Sequence, residues 1–153
     1  MELKKYILII FFFNITNFLY ADIIQPAKNL SAYDVVKIQL NALKNNNESK
    51  KNDGIKQTWI FAHPENKKYT GPYERFKKML LGAQYNILLN HDSHKIKLVT
   101  KNLSTYIYNI ELISKDKKMY FYEWHLEKST IDECNNCWFT TIVSPPTDKG
   151  NTI

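Results

Sequence analysis

Cys134 and Cys137, with Asn135 and Asn136 between them, form a CxxC pair. In an oxidising compartment two thiols this close join as a disulfide, and the same spacing also serves redox exchange and zinc binding. A thioredoxin-type thiol needs a helix N-terminus to depress its pKa, whereas here the pair stands in a polar loop that feeds an apolar segment. A structural disulfide is therefore the expectation, with free thiols or a redox role as alternatives. His91 and His94 make an HxxH pair, and with the two cysteines they would complete a tetrahedral zinc set. The long separation of the two pairs and the polar setting of Asn90 to His94 favour solvated loop histidines, so no metal is expected. Glu123 and His125 alternate along one segment, which would place a carboxylate beside an imidazole as an acid–base pair if that face lined a cavity. The intervening aromatics are better candidates for the buried side, so no catalytic residue is assigned.

The elements that must position these groups follow from periodicity. Ser31 ahead of Asp34 predicts a capped helix start, and Ala32, Val35, Val36, Leu40 and Leu43 recur at helical spacing until the run Asn45 to Asn47. A second helix is expected after Gly54, carrying Ile55, Trp59 and Phe61 and stopping at Pro64. A third starts near Pro72 with Tyr73, Phe76, Met79 and Leu80 on one face. From Ile96 the period changes to two. Tyr106, Tyr108, Ile110 and Leu112 share a strand face, as do Tyr120, Tyr122, Trp124 and Leu126, with a polar turn at Ser114 to Lys117 between them. Ile96 to Val99 and Trp138 to Val143 supply two further strands. Helices followed by antiparallel strands predict an α+β domain in which helices cover one face of a curved sheet.

The first residues read as an export signal. Lys4 and Lys5 precede an apolar run from Tyr6 to Phe13, and a small residue, Ala21, closes the segment before the more polar Asp22. The expected organisation is a cleaved signal peptide at 1–21, one domain at 22–146 and a disordered tail at 147–153. The mature chain would be periplasmic or secreted, meeting a membrane only through an uncleaved signal segment. Cleavage removes two lysines and one glutamate from a chain of formal net charge +6. The remaining lysines are scattered and form no arginine-rich stripe, which is a solvated surface rather than a nucleic-acid footprint.

Several strings then occur in a particular order: Gln39, Leu40, Ala42 and Leu43; Asp53, Gly54 and Ile55; Phe61, Ala62, Pro64, Asn66, Lys67, Thr70, Gly71, Pro72, Phe76 and Met79; Tyr85, Leu88 and Leu89; Tyr122 and Leu126; Cys137, Trp138, Thr140 and Val143. This pattern resembles the domain of unknown function 4864 (DUF4864) family of exported bacterial proteins and related plant sequences. The resemblance covers nearly the whole mature chain and is most specific from Phe61 to Pro72. It implies the cone-shaped fold of nuclear transport factor two and brings no reaction with it. His63 stands where that pattern has a small residue such as serine, and Cys134 is an addition to its single cysteine before tryptophan.

A cone with one helix layer leaves a cavity between helices and sheet, the usual place for a ligand. The pocket candidates are Tyr106, Tyr108, Tyr122, Trp124 and Trp138, with tyrosine hydroxyls available to orient a ligand. The polar segment His63 to Pro72 is expected as a structured loop at the pocket mouth or a plain connector. The functional expectation is a noncatalytic binding module for a small apolar ligand or a protein partner, with no cofactor and with homodimerisation left open. The alternative is a small cofactor-independent hydrolase or isomerase that uses the same cavity.

Overall fold

Helix α1, Ala32–Lys44, begins with a reciprocal cap: the Ser31 hydroxyl accepts from the Asp34 amide, and the Asp34 carboxylate accepts from the Ser31 amide. Its apolar stripe, Val35, Val36, Leu40 and Leu43, is fully buried. The computed structural model describes residues 23–48, 50–130 and 134–151, so the expected signal peptide lies outside the described residues.

Helix α2, Asp53–Ile60, packs on α1, and a β-carbon at Gly54 would run into the Ala42 carbonyl, so this crossing requires glycine. The asparagine run after α1 does more than stop that helix. Asn46 is buried, and its side-chain oxygen accepts from the Ile55 amide at 3.0 Å, satisfying a donor in the first turn of α2. The chain then leaves the helix at Phe61 and Ala62 to form a short parallel bridge with Thr140.

Residues expected as a loop form helix α3, Pro64–Thr70, with His63 as its N-cap. The structure thus corrects the loop conformation: proline at the first position supplies the helical φ, and the imidazole Nδ1 of His63 accepts from the Glu65 amide. Helix α4, Tyr73–Leu81, follows and buries Phe76 and Leu80. A 3₁₀ turn at Asn86–Leu88 leads into the sheet.

The sheet is antiparallel and curved. Strands β1 (Ser93–Lys101), β2 (Thr105–Ile113), β3 (Lys118–Lys128) and β4 (Trp138–Val143) lie in sequence order. The period-two faces are as expected: Tyr108, Ile110 and Leu112 of β2 and Tyr122, Trp124 and Leu126 of β3 are buried towards the helices. A fifth strand, β5 (Thr147–Asn151), occupies the segment read from sequence as a disordered tail. β4 pairs with the second half of β3 from Trp124 onward, and β5 pairs with its first half up to Phe121. Pro145 and Pro146 fall in the step between these two pairings, where the chain contributes no ladder amide. That is why prolines that read as the end of order are followed by a strand.

Candidate functional site

A cavity of about 300 Å³ opens between the helices and the β3–β4 side of the sheet. Its walls are apolar: Leu43 from α1, Phe76, Met79 and Leu80 from α4, and Ile142 and Val143 from β4. Its floor is polar. The Trp124 indole N–H donates to Gln39 Oε1 at 3.0 Å and to Thr140 Oγ1 at 3.1 Å, and the Thr140 hydroxyl donates to Gln39 Oε1 at 2.6 Å. Gln39 Nε2 donates in turn to the Thr58 carbonyl at 3.1 Å, and the Thr58 hydroxyl donates to the Gly54 carbonyl at 2.9 Å. Gln39 and Trp124 are each 1 % exposed and Thr140 is 6 % exposed. In so dry a setting these partners are what makes burial of the polar groups tolerable.

Local structure explains how the floor is assembled. Thr140 is fixed from both sides by the bridge to α2's exit, since its amide donates to the Phe61 carbonyl and its carbonyl accepts from the His63 amide, each at 2.8 Å. The Asn66 side chain of α3 donates to the Thr141 carbonyl, tying the helix to the same strand at the cavity rim. At the other end the Tyr85 hydroxyl donates to the Val143 carbonyl at 3.2 Å, and burial holds its pKa above the usual phenol value.

Of the five aromatic residues expected to form the pocket, Trp124 lines this cavity and the other four do not. Tyr106 is half-buried with its ring 4.8 Å from that of Trp138, and both belong to the packing at the β3–β4 end of the sheet. Tyr108 lies 6.3 Å from Tyr33 of α1, and burial pushes its pKa up to about 12. Tyr122 is 1 % exposed, and among the described residues its hydroxyl has no hydrogen-bond partner. All four belong to the buried core or pack against it, whereas the cavity lies between α4 and β4.

The residues missing from the expected pocket are Gln39, Thr140, Tyr85 and the α3–α4 positions. Helical spacing does carry a signal for Gln39: it lies three residues after Val36 and four before Leu43, a polar side chain on the apolar stripe. Thr140 likewise follows Trp138 by two and so shares its strand face.

The remaining constellations lie apart from the cavity. Cys134 and Cys137 are joined by a disulfide, with the Cys137 amide donating to the Cys134 carbonyl at 3.0 Å. Glu123 and His125 occupy the outer sheet face, with Nε2 and Oε2 3.3 Å apart. The histidine pair is not solvated, which corrects the loop reading. His91 is buried, its Nδ1 lies 2.7 Å from the Leu88 carbonyl, and its Nε2 lies 2.7 Å from His94 Nδ1. A carbonyl only accepts, so His91 carries its proton on Nδ1, and its Nε2 accepts a hydrogen bond from the Nδ1–H of His94. Burial lowers the His91 pKa to about 4, helped by the neighbouring His94 and Lys44. Among the described residues no group of three or more metal-ligating side chains converges. No family model, curated protein or solved structure matches this chain.

Proposed function

We propose that this protein is an exported, noncatalytic binding module that holds a small apolar ligand in the cavity above Gln39, Trp124 and Thr140. The observation that carries the reading is the cavity itself: about 300 Å³, walled largely by aliphatic and aromatic side chains, with a hydrogen-bonded polar floor of Gln39, Trp124 and Thr140. Such a distribution gives a ligand shape from the walls and orientation from the floor. The lining side chains include no carboxylate, imidazole, thiol or amine, and the phenol among them, Tyr85, donates its proton to the Val143 carbonyl and is held above the usual phenol range by burial. Hydrolysis or isomerisation needs a positioned acid or base, so the lining favours binding over the alternative of a cofactor-independent enzyme. A helix layer over a curved antiparallel sheet supports the cone of the nuclear transport factor two class as the architecture that leaves this space. The basic, apolar and small-residue segments of 1–21 support export to a periplasmic or secreted location.

Mass spectrometry of the organic extract of the purified protein tests the reading. A small molecule should be released by the wild type and be missing from Ala62→Phe, in which the new ring fills the cavity beside Thr140. A folded Ala62→Phe protein that releases the same molecule in the same amount would place the ligand elsewhere.

A further inference from the structure

The floor of the cavity carries one hydrogen-bond donor more than it carries partners, and this specifies the chemistry of the ligand. The orientation of the Gln39 amide is fixed by its neighbours. An indole N–H can only donate and a backbone carbonyl can only accept, so the oxygen faces Trp124 and the nitrogen faces Thr58. Gln39 Oε1 already accepts twice, from Trp124 and from Thr140. Gln39 Nε2 bears two protons and donates one to the Thr58 carbonyl, and among the described residues the other has no acceptor. It belongs to a side chain that is 1 % exposed and lines the cavity. A buried donor without a partner costs more than a made hydrogen bond returns, so an occupant that supplies an acceptor is favoured over one of the same shape that does not.

Resting on the binding reading above, we propose that the ligand is an uncharged apolar molecule with a carbonyl-type acceptor oxygen, which receives the second Nε2 proton of Gln39. The acceptor is neutral because no Lys, Arg or His side chain lines the cavity, and a carboxylate buried there would be left without a counter-charge. The rim carbonyls of Thr141 and Val143 each take a hydrogen bond from Asn66 or Tyr85 already.

The test compares 2-hexanone with 2-methyl-1-hexene, which differ by one oxygen in place of a methylene, by calorimetric or fluorescence titration of the full mature chain. Each affinity is divided by the probe's own partition from water into hexadecane, which removes the desolvation cost of the oxygen. The ketone should exceed the alkene by about tenfold on this scale, and Gln39→Met should bring the ratio near one. Infrared spectra of carbonyl-¹³C 2-hexanone give an independent reading that needs no variant: the bound stretch should lie below its value in hydrocarbon solvent. Equal corrected affinities, or a bound stretch at the hydrocarbon value, would overturn this inference and leave the apolar cavity standing. Failure of both probes to saturate would overturn the binding reading and the inference with it.

Discussion

Tyr122 places a phenol hydroxyl where the described residues offer it nothing, and burial pushes its pKa well above the ordinary value. An unsatisfied buried hydroxyl costs roughly 1 to 3 kcal/mol, so Tyr122→Phe should keep or raise the thermal midpoint. A fall worth more than about 1 kcal/mol would mean that the hydroxyl has a partner after all. The histidine pair gives the second residue-scale prediction. The folded pKa of His91, about 4, lies below its usual 6.5, so the unfolded chain takes up the proton first as the pH falls. Stability is therefore complete above pH 6.5 and declines through the window down to pH 4, by roughly 3 kcal/mol at most. The shift at His94 is in the same direction and again comes first from burial. Urea unfolding at pH 7.5, 5.5 and 4.5 should show this decline, reduced in His91→Gln, and a flat profile in the wild type would refute it. Neither behaviour is legible from residue types. Spacing identifies that Tyr122 faces inward and that two histidines are close, but the missing partner and the His91–His94 contact depend on which element packs above them.

Among the elements, β4 has the largest share in holding the site together, because it supplies Thr140 to the floor and accepts the bridge from Ala62. Trp138 anchors its first residue. The ring is 8 % exposed, 4.8 Å from Tyr106 and beneath the Lys128 ammonium, whose nitrogen is 5.2 Å from the ring centre. Trp138→Ala should cost about 3 kcal/mol in chemical denaturation, and unchanged stability would show that the strand holds its place without this contact. The helices α1 and α4 and the inward faces of β2 and β3 were readable in advance, because amphipathic spacing is a direct consequence of one-sided burial. α3 and β5 were not. α3 is seven residues long and buries none of them fully, so no apolar period marks it. β5, Thr147–Asn151, is short and polar, and it exists through pairing with Lys118, Tyr120 and Phe121, which local sequence does not encode.

At the scale of the whole molecule, the order of helices before antiparallel strands determines the α+β class, and the curvature of the sheet under a single helix layer determines where space remains. Four of the five anticipated pocket aromatics serve the packed part of that interface, and the cavity lies between α4 and β4. A sequence pattern reports which side of a sheet is covered, whereas the distance between covering layers is a property of the assembled fold. Saturable occupation of this cavity is the central claim. Its most direct test is a titration of the ¹³C-methyl-methionine protein with 2-hexanone, observed by NMR. Met79 lines the cavity and Met119 stands outside it at the far end of β3, paired with Ile113. The Met79 methyl resonance should shift and saturate while that of Met119 stays in place. A Met79 resonance that does not move, or two resonances that drift together without saturation, would contradict it.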